Sequence, residues 1–203
     1  MHLRAGNTIM NTRPSFRCSH VTMRFISTSS IAWLLLCASA FAQNKFAGVG
    51  GIVYSGKAAF NITAPAGWVV DPVSGQAQGF PCVLYPKDSS WSDANTIMYA
   101  VVEKDFNDAT AFAASTVAAE KKGNHTIPKE KIASGKTKGG EAYFINEYRP
   151  KATYSQWDRA AYIQLPGAVG YVGLSSKNEE SYRKDNHLLE DVLKTIFYIR
   201  KDK

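Results

Sequence analysis

The 203-residue chain predicts an α+β domain in which an antiparallel β-sheet, built partly as a meander, carries helices packed on its faces. Three observations lead there. Short extended segments open the domain, and one run of helical period follows. Four extended segments then come in succession, two of their connections being glycine turns, before an apolar stripe closes the chain. Strands joined directly by tight turns pair antiparallel, whereas a doubly wound parallel sheet needs a helix between strands.

"FNITAP", from Phe60 to Pro65, alternates apolar and polar residues and stops at a Pro and Gly turn, after which Trp68 to Val70 begins a second extended piece. "FPCVLYP" is a brief strand bracketed by Pro81 and Pro86, which a sheet edge would tolerate. "TIMYAVVE", Thr96 to Glu103, is apolar nearly throughout and predicts a strand buried on both faces.

From Asp108 to Lys121 the period becomes helical. Ala109, Phe112, Ala113, Thr116 and Val117 share one face, Asn107 or Asp108 can cap the first amides, and Gly123 closes the element. "NHTIPKEK" reads as loop. "KIASGKTK" then meets "EAYFINEYR" across Lys138-Gly139-Gly140-Glu141, where two glycines allow the positive φ angles of a hairpin. "DRAAYIQL" meets "AVGYVGLSS" across Leu165-Pro166-Gly167-Ala168, with Pro and Gly placed for a type II turn. The last element is expected as one helix from Ser176 to about Thr195, capped by Ser176 and Glu179, with Leu188, Leu189, Val192, Leu193 and Ile196 as its buried stripe.

The N-terminal part has a different character. "MRFISTSSIAWLLLCASAFA", residues 23–42, has the basic start, short apolar run and small-residue end of an export signal, with cleavage expected before Gln43. Its apolar run is far shorter than the ~20 residues of a spanning helix. Residues 1–22 read as a mis-assigned or extended N-terminus, 43–58 as a flexible leader or an added edge strand, and 59–200 as a single domain. A lipid anchor on Cys37 is disfavoured because Leu36 stands where a small residue is needed. The mature chain is therefore expected to be periplasmic or secreted.

Composition narrows the function classes. Residues 1–42 hold Arg4, Arg13, Arg17 and Arg24 and no acid; without them 20 of the 24 cations face 17 acids, and the formal charge falls from +7 to +3. The remaining cations are mixed with acids, which argues against a nucleic-acid partner. Cys82 is the one thiol beyond the signal and sits in an apolar run, so it reads as a buried core residue.

"FNITAPAGW", the helix after "MYAVVE", "GGEAYFINEY", and "YVGLSSKNEESY" leading to "VLKTIFY" together resemble the PsbP-like and DcrB-like α/β sandwich proteins, over about Phe60 to Tyr198. That group includes extrinsic photosystem subunits, the Ran-binding Mog protein and bacterial DcrB envelope lipoproteins. The resemblance implies a compact α/β sandwich used for binding and assembly, with no catalytic residues to carry over.

Motifs point the same way. "GVGGIVYSGKAA" has the glycines and lysine of a phosphate loop, but Ala58 replaces the hydroxyl residue and an extended segment follows instead of a helix. His125 and His187 have no second ligand at close spacing, so no metal is expected. No nucleophile elbow is present and no cofactor is implied. "YRPKATYSQWDR" gathers Tyr148, Arg149, Lys151, Tyr154, Trp157 and Arg159, residue types enriched in contact hot spots, and Trp91 is another large ring in a polar loop. These seven residues are the expected ligand or partner surface. The favoured reading is an exported, non-enzymatic binding or accessory protein of the cell envelope, acting on an envelope protein or small ligand. The alternatives are a hydrolase or other enzyme assembled from separate loops, and a self-assembling structural protein pairing through an exposed strand.

Overall fold

The structure, a computed structural model, describes residues 46–47, 50–151 and 154–199. The expected signal, the residues before it and Cys37 lie outside the described residues.

The elements follow in chain order. Strands β1 (Phe46–Ala47), β2 (Gly50–Tyr54), β3 (Ala59–Thr63), β4 (Trp68–Asp71), β5 (Cys82–Pro86) and β6 (Thr96–Glu103) precede helix α1 (Ala109–Gly123). Strands β7 (Thr126–Lys136), β8 (Ala142–Pro150), β9 (Trp157–Leu165) and β10 (Ala168–Ser176) form the meander. Helices α2 (Glu179–Asp185) and α3 (Leu188–Leu193) and strand β11 (Tyr198–Ile199) close the chain. The large sheet has the order β1-β4-β5-β6-β10-β9-β8-β7, and a small sheet has the order β11-β3-β2. Every pairing among the described residues is antiparallel.

One face of the large sheet packs on the small sheet and on α2 and α3. Phe60 and Ile62 of β3, Leu84, Met98, Ile163 and Leu174 of the large sheet, and Leu189, Val192 and Leu193 of α3 meet there in one apolar cluster with no exposed surface. The opposite face carries α1, whose alanines Ala109 and Ala113 let it approach Tyr148, Ala160, Tyr162 and Val169 closely. Beside α1 the loops around Phe80 and Trp91 cover Val69, Val83 and Tyr85. The expected sheet with helices on its faces is present, and one of its faces also bears a second sheet.

Several expectations need correction. Strand β5 is interior, not an edge, because Pro81 precedes it and Pro86 ends it, so neither proline interrupts the middle of a ladder. Strand β6 alternates: Thr96, Met98, Ala100 and Val102 are buried while Ile97, Tyr99, Val101 and Glu103 are half-buried, Ile97 and Tyr99 beside Phe80 and Trp91. Helix α1 is capped by Asp108, whose Oδ1 accepts from the Ala111 N–H at 2.7 Å, but it ends on Asn124 in the left-handed conformation at φ 55°, one residue beyond the predicted glycine. "NHTIPKEK" is mostly strand, since β7 begins at Thr126 and absorbs its irregularity in a bulge between Lys129 and Ala133, with Lys131 at φ 49°. In the β7–β8 turn Gly140 alone takes a positive φ, 92°, while Gly139 donates its N–H to the Ile196 carbonyl at 3.0 Å.

The closing helix differs most. Ser176 is the buried end of β10, its hydroxyl 3.0 Å from that of Thr96, and the cap is Asn178, which accepts from the Ser181 N–H at 2.9 Å. The helix is interrupted at Asn186 and His187, so that α2 and α3 can each lay a short apolar side on a twisted sheet. Residues 43–58 contain β1 and β2, which border the large and small sheets. The phosphate-loop look-alike is part of this: Gly51 lies in β2, where an added Cβ would stand 2.7 Å from Val70, and β3 follows it.

Candidate functional site

Strand alternation divides the stretch from Tyr148 to Arg159 between the two faces of the large sheet. Tyr148 points to the α1 side, where it is buried and its hydroxyl lies 2.6 Å from that of Tyr162. Glu147 and Arg149, its neighbours in β8, point to the other side together with Trp157 and Arg159 of β9, and Glu147 stands directly across from Arg159.

These residues form two adjoining hydrogen-bonded groups beneath the α2–α3 break, with Arg159 Nε left without a partner. Arg159, only 7% exposed, donates from Nη1 to the Asn186 carbonyl at 2.8 Å and from Nη2 to Glu190 Oε1 at 3.0 Å. Glu147 accepts from Arg149 Nε at 2.6 Å and from the Tyr182 hydroxyl. Burial alone would raise the Glu147 pKa, but the bonds from Tyr182 and Arg149 and the charges of Arg149 and Arg159 outweigh it and hold the carboxyl below its usual range. Tyr182 is pushed upward by burial and by the same carboxylate. Glu147 is thus a fixed anion and Tyr182 a fixed donor, the opposite of an acid and base poised for proton transfer near neutrality.

Arg149 and Trp157 reach solvent here, as does part of Glu190. The Arg149 side chain is 52% exposed, and the half-buried Trp157 ring lies 5.2 Å from that of Tyr182. Lys151 and Tyr154 sit apart in the β8–β9 loop: Lys151 Nζ bonds Asn124 Oδ1, and the Tyr154 ring is 5.6 Å from His125. Trp91 is elsewhere, edge-on to Phe80 at 6.0 Å on the α1 side of the sheet. Of the seven expected site residues, then, the fold brings together Arg149, Trp157 and Arg159, and it separates Tyr148, Lys151, Tyr154 and Trp91 from them.

The residues sequence reasoning missed are Glu147, Tyr182 and Glu190. Glu147 was legible as the period-two neighbour of Arg149, whereas Tyr182 and Glu190 lie 35 and 31 residues from their partners and carry no local signal. Cys82 is buried, and desolvation pushes its thiol up to about 12, which keeps it an unreactive core group. Among the described residues no cluster of three metal-ligating side chains occurs, and no helix is long and apolar enough to cross a membrane. His125 and His187 are both exposed and lie on separate elements.

No family model matches the sequence, and no relative is found among curated proteins. Solved structures do match. LpqN of Mycobacterium tuberculosis, described as involved in cell envelope biogenesis, is 13% identical over 75% of this chain and 91% of LpqN, with a TM-score of 0.52. The solution structure of cyanobacterial PsbP from Synechocystis is 15% identical over 69% of this chain and 86% of that one, with a TM-score of 0.47. The fold is similar to that of LpqN. At these identities the likeness speaks of the fold alone.

Proposed function

We propose that the protein is an exported, non-enzymatic binding or accessory protein of the cell envelope, and that it engages a partner through Arg149 and Trp157. Three things support the reading. The N-terminal sequence has the form of an export signal. The solved structure that shares the fold with the higher TM-score, 0.52, is described as acting in cell envelope biogenesis. The polar groups beneath the surface bond to one another, which leaves them positioning side chains.

The observation that carries the proposal is the presentation of Arg149 and Trp157. Glu147 bonds Arg149 Nε and so fixes the direction of the guanidinium on a side chain that is half exposed. Tyr182 backs the Trp157 ring. An Arg and a Trp held rigid on a sheet lose little side-chain entropy on contact, which is the property of an interface anchor. An anionic or polar partner surface with an apolar pocket would complement them.

Affinity purification from envelope fractions, read by mass spectrometry, tests this. The wild-type protein should recover a specific companion, and Arg149→Glu should lose it with an unchanged far-ultraviolet spectrum and melting temperature. Recovery of the same companion by Arg149→Glu and by Trp157→Ala would refute the assignment of the surface. Turnover in a broad hydrolase screen would refute the non-enzymatic part.

A further inference from the structure

The opposite end of the large sheet contains a notch. Pairing between β5 and β6 stops at Cys82 opposite Ala100, because Pro81 ends the strand there. Strand β6 continues through Val101, Val102 and Glu103, which pair on their other side with Tyr171, Gly170 and Val169 of β10. The last three residues of β6 therefore have a strand neighbour on one side only. Successive residues of a strand direct their N–H and C=O alternately to the two sides, so at least one of the three turns both groups into the notch.

The notch is a cleft of about 580 Å³ lined by Tyr54, Phe80, Pro81 and the three β6 residues, among others. Phe80 forms a firm wall, its ring 4.3 Å from Tyr99 and 6.0 Å from Trp91. Tyr54, at the end of β2, is 66% exposed although it is a large apolar ring. Glu103 is half-buried, and burial together with Asp105 raises its pKa against the smaller opposing effect of Lys104. No ion pair or side-chain hydrogen bond engages its carboxylate among the described residues. The nearby Lys57 ammonium is turned to the Lys104 carbonyl at 2.6 Å.

An unpaired strand edge, two aromatic walls and a carboxylate engaged in no ion pair among the described residues define a complementary occupant. We propose that this notch binds a short extended peptide segment with a basic side chain, adding it beside Val101–Glu103 in the position that β5 vacates. Its backbone takes up the free ladder groups of β6, its apolar side chains lie against Tyr54 and Phe80, and its cation meets Glu103. The site lies at the other end of the strands from Arg149 and Trp157, so variants of either surface leave the other intact.

Amide resonances of the nitrogen-labelled protein, titrated with acetyl-Val-Lys-Val-Thr-amide, test the proposal. Shifts should be confined to the residues around Val101–Glu103, Tyr54 and Phe80, with a dissociation constant on the order of millimolar. A Glu-for-Lys version of the peptide should bind about fivefold or more weakly, and Glu103→Gln should abolish the difference between the two peptides. Tyr54→Ala, at an exposed position, should weaken both. A version methylated on its central backbone nitrogens should not bind. The proposal is overturned by the absence of shifts at about 10 mM peptide, by shifts centred elsewhere, by equal binding of the methylated probe, or by a charge preference that survives Glu103→Gln.

Discussion

Replacing Arg159 by Met tests whether the buried guanidinium fastens the α2–α3 break to the sheet. Met keeps most of the aliphatic stem and removes the charge. Two charge-assisted hydrogen bonds disappear, to the Asn186 carbonyl at 2.8 Å and to Glu190 at 3.0 Å, each of a kind that contributes about 1.5–3 kcal/mol. Three effects reduce that sum. The Glu190 side chain is 31% exposed and regains water, Arg159 Nε has no partner to lose, and Glu147 keeps Arg149 and Tyr182. The net loss should be about 2–3 kcal/mol, a fall in melting temperature of roughly 5–10 °C for a domain of this size. Chemical denaturation followed by tryptophan fluorescence measures it directly. Glu190→Gln, which removes only the half-open partner, should cost less than about 1 kcal/mol. A cost for Arg159→Met below about 0.5 kcal/mol, or an equal cost for the two variants, would refute the reasoning.

Acid should unfold the protein partly through Glu147 and Asp71. Asp71 is buried, yet bonds from Ser74 and Tyr85 and from the Val73 and Ser74 amides hold its carboxyl below the usual range. Both groups are depressed in the fold, so their contribution is complete above their ordinary values of 3.8 and 4.5 and is lost as pH falls through the folded ones. Glu147→Gln should flatten the stability profile below that range and lower stability at pH 7, as read by urea melts at several pH values. Tyr85→Phe deletes a buried 2.7 Å bond to Asp71 and should cost about 1.5–3 kcal/mol by the same assay. Gly173→Ala should destabilise by about 1–3 kcal/mol, because the added Cβ would stand 2.5 Å from the ring of Tyr99, itself wedged between Phe80 and Tyr171; thermal melting shows it. The outer edge of β7 should not support self-pairing: its bulge and the charged run Lys129-Glu130-Lys131 interrupt it, so light scattering should find no association that Ile127→Lys abolishes.

How far the sequence was legible depends on whether the signal for each feature lay within one element. The meander could be read because Gly167, at φ 71°, and Gly140 mark the turns at which neighbouring segments fold back on each other. Helix α1 could be read because its cap and apolar face recur within fifteen residues. The candidate surface was half legible. Local composition collected Tyr148 with Arg149 and Trp157, while the strand's alternation, equally present in the sequence, sends Tyr148 to the far face.

By itself, then, the sequence determined the class of the fold, the order of most strands and the burial of Cys82, since period and turn chemistry act between residues a few positions apart. Tertiary structure decided where β5 lies in the sheet, that residues 50–54 pair with β3, that the last helix breaks at Asn186, that Tyr182 donates to Glu147 of β8, and that Glu190 accepts from Arg159 of β9. Each of these depends on contacts between residues distant in the chain, whose free energy comes from excluding water and satisfying buried polar groups once the sheets have met. No window of the sequence contains both partners of such a contact.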